Sequence, residues 1–331
     1  MASHRPIQRQ PSFVKRPREE LQEIANDTLA AVKRGVYTVD FGGEKHSLQD
    51  LSTLPELTKY FAPDAFAQWA GAAPARHSTP TTIILCRNST LEGIRFCLRN
   101  PLPASGSDPE LTTAPPRPAV LNFASATSPG GGFLYGARAQ EETIARSSNL
   151  YSSLSSPTAA SFYAAHDTAR APRYSHAMVL TCGVRVVRDD AGAWVRPADV
   201  DVLTSAAVNA RAVRAQLQQA GALPRGEEQR LPDDVAAELR GVMRERMARV
   251  LCSLQRAGAQ DLVLGSFGTG AFGNEVEAVA AIWAELLAGE GAHFRDAFRR
   301  VVFAVIDRDT YGVFREVFRK RGVRFSEAGG K

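Results

Sequence analysis

Two adjacent carboxylates, Glu141 and Glu142, follow a run of three glycines, Gly130, Gly131 and Gly132, across the short spacer Phe133 to Ala139. A strand-like stretch ending at Asn122 leads into the glycines, and Gln140 opens the helix that carries the acids. Adjacent glycines strip a loop of side chains, so main-chain N–H groups can approach a ligand closely, and they permit backbone angles other residues resist. Neighbouring helix positions point about 100° apart, so the two acids divide their work: one reaches a reacting bond while the other holds the substrate. A bare main-chain surface suited to phosphate, beside a paired acid, suits cleavage of a bond next to a pyrophosphate. The competing reading is a favourable first helical turn, with acids at the positive end of the dipole and Glu142 paired to Arg146 one turn on.

A second glycine-rich segment runs Gly265-Ser266-Phe267-Gly268-Thr269-Gly270-Ala271-Phe272-Gly273-Asn274, between a buried strand and a helix. Main-chain amides and a helix start there favour phosphate. Gly268, Gly270 and Gly273 also carry the dinucleotide spacing, and the following strand ends in Asp307, so a nicotinamide-dependent oxidoreductase is one alternative. Against it, Asp307 comes later than the interval of about 20 residues at which the ribose-binding acid usually sits. That alternative also leaves the first glycine run and its acids unexplained.

The elements that must position these segments follow from periodicity. Glu19 to Arg34 is a helix with Leu21, Ile24, Thr28 and Val32 on one face, stopped by Gly35. Tyr37 to Phe41 reads as a short strand, Thr81 to Cys86 as a buried strand, Ser89 to Leu98 as a helix, and 101–118 as a proline-rich loop. Ala119 to Ala124 delivers the first glycine loop. Met178 to Val187 is strand-like, Asp189 to Gly192 turns, Ala193 to Val195 returns as a hairpin, and Val200 to Leu203 is a further short strand. His166 and His176 fall in a polar connection. Asp234 to Ala257 is the longest helix, its Leu and Met face a core stripe. Asp261 to Gly265 is a strand, Asn274 to Leu287 a helix, Arg300 to Ile306 a strand and Tyr311 to Lys320 a last helix. Strands alternating with helices predict a layered α/β domain.

Gly130-Gly131-Gly132, the spacer and Gln140-Glu141-Glu142 resemble the signature of poly(ADP-ribose) glycohydrolases. The surroundings, Ile24 to Thr28, Asn122 to Ser125 and Gly265 to Asn274, resemble the bacterial and fungal (microbial-type) branch of that family over about residues 18 to 325. The resemblance implies a macrodomain-like three-layer α/β/α fold with a mixed central sheet and an N-terminal helical extension. It implies hydrolysis of the ribose–ribose O-glycosidic bonds of the polymer, with no cofactor and no metal. By motif position Glu142 is the general acid/base and Glu141 binds ribose hydroxyls. Asn122 bonds near the scissile ribose, and Gln140 orients the pair. Gly130, Gly131 and Gly132 pass along ribose and diphosphate. Gly268, Thr269, Gly270, Ala271, Gly273 and Asn274 belong to the diphosphate loop, with Phe272 packed near the reacting ribose. A donor to a glycosidic oxygen has to keep its proton until it is used, which burial or a neighbouring negative charge favours. The chain departs from the family at Thr181 to Val184 and Ser205 to Asn209, where prolines are expected, and at Thr269, where cysteine is frequent. The alternative of another class is a macrodomain-like reader that binds ADP-ribose without cleaving it.

The net charge of +5 suits an anionic ligand without implying nucleic-acid binding. The four cysteines show neither Cys-x-x-Cys nor zinc-ligand spacing and read as buried thiols. No stretch approaches the roughly 18 apolar residues of a membrane span, and the N-terminus has no hydrophobic signal core. The expected location is therefore intracellular, in nucleus or cytoplasm. The expected organisation is a disordered basic tail over 1–18, one catalytic domain over 19–325 and a short tail over 326–331. The expected partners are poly(ADP-ribose) and ADP-ribosylated proteins, met by a monomer.

Overall fold

Alternating side chains on the central strands send their apolar groups to two opposite faces, and that alternation sets the architecture. The computed structural model describes residues 16–71, 74–102, 117–169, 171–224 and 230–328. Most of the basic N-terminal tail and most of the proline-rich connection lie outside the described residues.

Helix α1 (Arg18–Arg34) buries Leu21, Ala25, Thr28 and Val32 along one stripe and ends where Gly35 turns left-handed (φ 75°). A small antiparallel pair follows, β1 (Val36–Thr38) with β2 (Lys45–Ser47). The chain then runs through β3 (Thr58–Phe61), β4 (Thr82–Cys86), α2 (Thr90–Arg99), β5 (Ala119–Phe123) and α3 (Gln140–Ser147). It continues with α4 (Leu150–Leu154), α5 (Pro157–Ala169), β6 (Met178–Arg188), β7 (Trp194–Ser205) and α6 (Ala210–Gln219). It closes with α7 (Asp233–Arg256), β8 (Asp261–Leu264), α8 (Val276–Leu287), β9 (Arg300–Ala304), α9 (Arg308–Lys320) and β10 (Ser326–Ala328).

One mixed sheet orders these strands β10-β4-β9-β8-β5-β7-β6-β3. The pairs from β10 to β7 are parallel, whereas β7–β6 and β6–β3 are antiparallel. Ile83, Leu85, Leu121, Leu262, Leu264 and Phe303 point to the side covered by α7, α8 and α9. Ile84, Cys86, Val120, Val263 and Val302 point to the side covered by α2, α3 and α4. Both faces are buried, as parallel strands require, and the result is the three-layer macrodomain-like fold. The carboxyl ends of β4, β5, β8 and β9 open on one edge, where α/β sheets bind ligands.

The structure differs from the sequence reading in four places. The hairpin return and the short strand at Val200 are one strand, β7, continuous from Trp194; Pro197 lies inside it, and β7 follows β6 through two register irregularities. The helix α5 replaces part of the stretch read as a polar connection, and α6 forms where the sequence reading places no element; α5 is almost evenly apolar, so it shows no period. His166 therefore lies on a helix and is 2% exposed rather than in a polar connection. Residues 326–328, expected in a tail, pair parallel with β4 instead. Ser326 and Glu327 are polar and Ala328 packs against the core, and what recruits the strand is the open hydrogen-bonding edge of β4 together with these contacts, Glu327 accepting from the Tyr311 hydroxyl at 2.7 Å.

Candidate active site

Helix α3 starts at the carboxyl end of β5 because Gln140 ties the two together. Its Oε1 accepts from the Phe123 N–H at 2.9 Å, and its Nε2 donates to the Leu121 carbonyl at 2.8 Å. Glu141 and Glu142 then fall in the first turn, and both are buried, at 2% and 8% exposure. Their environments diverge. Glu141 accepts from the Ser125 N–H at 2.6 Å and from Asn122 Nδ2 at 3.3 Å. Burial pushes its carboxyl up to about 8, against the lowering effect of the Ser125 N–H and with the help of the charge on Glu142. Glu142 directs Oε1 to the Gly132 N–H at 3.0 Å. Its Oε2 is buried and has no hydrogen-bond partner among the described residues. Arg146, the alternative partner of Glu142, spends its donors on the Ala137 carbonyl and the Thr143 hydroxyl.

Asn122 is fully buried on β5 and does not line the cavity. Its Nδ2 bridges Glu141 and the Thr204 hydroxyl, so it holds the acid from behind. Gly130 and Gly131 take left-handed angles (φ 67° and 60°). Gly130 lies under the loop, and Gly131 and Gly132 face the cavity.

The second glycine segment forms the opposite wall. Gly268, Thr269, Gly270, Ala271 and Phe272 line the cavity. Gly273 and Asn274 do not; they brace the loop from within. Asn274 donates from Nδ2 to the carbonyls of Val208 (2.7 Å) and Gly268 (2.9 Å). Gly268 is left-handed (φ 76°), and a Cβ there would lie 2.4 Å from the Ala207 methyl. The Phe272 ring packs against Tyr174, centroids 5.8 Å apart. Asp307 caps α9, its Oδ1 accepting from the Thr310 N–H at 2.9 Å, so its place after β9 has a structural cause.

The cavity holds about 930 Å³ and spans all four strand ends, within the range of small-molecule sites. Several lining residues are not singled out as site residues by the sequence reading. Ser125 matters through its main chain, Tyr135 stands 74% exposed at the rim, and Arg138 sits in what reads as a spacer. Asp190 reads as a turn residue, yet its carboxyl is pushed up by burial and accepts from the Ser89 hydroxyl at 2.6 Å. Among the described residues no cluster of His, Cys, Asp and Glu could hold a metal ion, and no helix is long and apolar enough to cross a membrane.

A macrodomain-like sheet whose strand ends carry a buried acid pair facing a glycine-rich loop defines a hydrolase of the macrodomain class. The comparisons with known proteins name the family. The pattern described as microbial-type PARG, catalytic domain, matches residues 25–189. A poly(ADP-ribose) glycohydrolase structure from Thermomonospora curvata is 35% identical, with a TM-score of 0.74, covering 92% of this chain and 99% of that one. A structure of poly(ADP-ribose) glycohydrolase from the same organism bound to the inhibitor ADP-HPD is 34% identical (TM-score 0.72; 90% and 99% covered). One from Deinococcus radiodurans in complex with ADP-ribose is 33% identical (TM-score 0.67; 83% and 99% covered). Among curated proteins none matches. The chain belongs to the microbial-type poly(ADP-ribose) glycohydrolase family.

Proposed function

We propose that this enzyme hydrolyses the ribose–ribose O-glycosidic bonds of poly(ADP-ribose) and releases ADP-ribose, with Glu142 as general acid/base. The observation that carries the assignment is the Glu142 carboxylate. One oxygen is fixed by the Gly132 N–H, and the other is buried at the cavity wall with no partner among the described residues. An unpartnered buried oxygen is costly unless a ligand completes it. In the proposed reaction the Glu142 proton goes to the leaving ribose oxygen as its bond to the anomeric carbon breaks. Water then adds to that carbon and returns a proton to Glu142. The substrate's own diphosphate stabilises the cation-like ring.

Glu141 is the ribose-binding partner. Asn122 and the Ser125 N–H occupy only part of its acceptor capacity, and Asn122 acts through it. The main chain of Gly131, Gly132 and Gly268 to Ala271 receives the diphosphate, and Phe272 closes the wall beside the ribose. Gln140, Gly130, Gly273 and Asn274 hold these parts in place. The catalytic unit extends from α1 to β10, and the partners are proteins that carry the polymer.

The test is release of ADP-ribose from polymer by wild type and by Glu142→Gln. A loss of at least about a hundredfold is expected for the variant, with thermal stability and ADP-ribose binding retained. Full activity in a folded Glu142→Gln protein removes Glu142 from the mechanism.

A further inference from the structure

Arg246 on α7 is 0% exposed, and its hydrogen-bond partners are all neutral. Nη1 donates to the Ala206 carbonyl at 2.9 Å, Nη2 to the carbonyls of Arg173 (2.9 Å) and Tyr174 (3.0 Å), and Nε faces His176. The other buried arginines each have an acid at hand. Arg188 pairs with Asp27, Arg249 with Glu245 and Arg300 with Asp261. Arg146 feels the charges of Glu142 and Asp190. Among the described residues Arg246 has only Arg249 as a charged neighbour of consequence, and that charge repels it. A buried charge without a counter-charge is among the most expensive features a protein can carry.

Its location suggests what balances the charge. Ala206 is followed by Ala207, which lines the cavity and touches Gly268. Tyr174, whose carbonyl Arg246 also holds, stands in a left-handed conformation (φ 52°) and packs its ring on Phe272 at the far end of the same loop. The guanidinium thus lies one layer of main chain behind the Gly268–Phe272 wall. In a trans peptide the C=O and N–H point in opposite directions. The peptide whose oxygen faces Arg246 therefore turns the Ala207 N–H away from the cation.

We propose that the diphosphate of the bound nucleotide is the counter-charge of Arg246, which makes Arg246 a remote determinant that favours a diphosphate-bearing ligand over an uncharged nucleoside without touching either. The inference rests on the reading of the Gly268 loop as the diphosphate wall. Across a low-dielectric layer a unit charge keeps much of its effect, and salt screens it poorly.

The experiment is calorimetric binding of ADP-ribose, and of adenosine by competition, to wild type, Arg246→Gln and Arg246→Lys. Arg246→Gln is expected to weaken ADP-ribose by about tenfold or more while leaving adenosine within about twofold, and Arg246→Lys to recover most of the loss. Equal losses for both ligands, none for either, or no recovery by Arg246→Lys overturn the proposal, because lysine keeps the charge but not the fork that braces the Ala206 and Tyr174 carbonyls. If Arg246→Gln fails to fold, the wild type decides. Its ADP-ribose affinity should change less than about threefold between 50 and 500 mM NaCl. A steep salt dependence assigns the diphosphate to exposed cations and overturns the proposal. A wild type that binds no ADP-ribose sinks the functional reading as well, whereas normal ADP-ribose binding by Arg246→Gln sinks this inference alone.

Discussion

A Cβ on Gly131 would lie 2.4 Å from Oε1 of Glu142, the oxygen that also accepts the Gly132 N–H. The glycine run therefore lets main chain approach the acid as well as a ligand. Gly131 is also left-handed (φ 60°), so alanine there meets backbone strain and a carboxylate together. Gly131→Ala should displace Glu142 and cost about a hundredfold or more in polymer cleavage, with a stability loss of only about 1–2 kcal/mol. Turnover and thermal melting measured side by side check this, and an active Gly131→Ala protein would show that Glu142 need not hold its position.

Asn274 braces the opposite wall through the carbonyls of Val208 and Gly268. Asn274→Ala strands the Val208 carbonyl and leaves the Gly268 carbonyl with only the residue-274 N–H at 3.1 Å, and should cost about 1–3 kcal/mol of stability. The Gly268 loop should loosen, so ADP-ribose affinity should fall severalfold, while kcat on polymer falls less because the acid pair is untouched. The reverse pattern, kcat lost with affinity kept, would place Asn274 in the chemistry.

Much of this site was legible because its parts are contiguous in sequence. The triple glycine, the acid pair and the second glycine loop each announce themselves by residue type, and Gly35 and Gly258 mark helix ends by the left-handed angle only glycine adopts freely. What stayed hidden acts through main chain or across the sheet. Ser125 contributes an N–H, Thr204 reaches Asn122 from β7, and β10 joins the open edge of β4 through three residues too few to show a period. Asn122 and Asn274 show a second limit. Polar residues at strand and helix ends read as ligand contacts, yet both face inward and hold other parts in place. Of the acid pair, Glu141 is the carboxyl that burial pushes up, to about 8, and the neighbours that bury it come from β5 and the loop after it rather than from its own helix.

Beneath the strand ends, Arg300 on β9 forks onto Asp261 on β8, with Nε on Oδ1 at 2.8 Å and Nη2 on Oδ2, and also reaches the carbonyls of Asn100 and Cys97. The pair fixes the register of the two strands whose far ends carry the Gly268 loop and Asp307. Asp261→Ala leaves a buried guanidinium uncompensated and should cost about 3–5 kcal/mol. Activity per folded molecule at low temperature should change little, since neither residue reaches the cavity. Denaturant unfolding and active-site titration separate the two quantities.

The raised carboxyl of Glu141 makes stability depend on pH with a definite sign. Its ordinary value is 4.5, and in the folded protein it is pushed up to about 8. Between those values the native state binds a proton that the unfolded state has released, so stability must fall as pH rises through the window. Two histidines, the buried His166 and the half-buried His176, act oppositely at its acid end. Burial lowers His166 to about 4 and His176 to about 3, so the native state resists protonation below about 6.5 and gains stability as pH climbs to that value. The interval from about 6.5 to 8 therefore reports Glu141 most clearly. Wild type should lose up to about 1.4 kcal/mol per pH unit there, and Glu141→Gln should flatten the slope and exceed the wild type in stability at pH 8. Urea unfolding at half-unit steps of pH decides the matter: parallel slopes for the two proteins would mean that Glu141 is ionised at neutral pH.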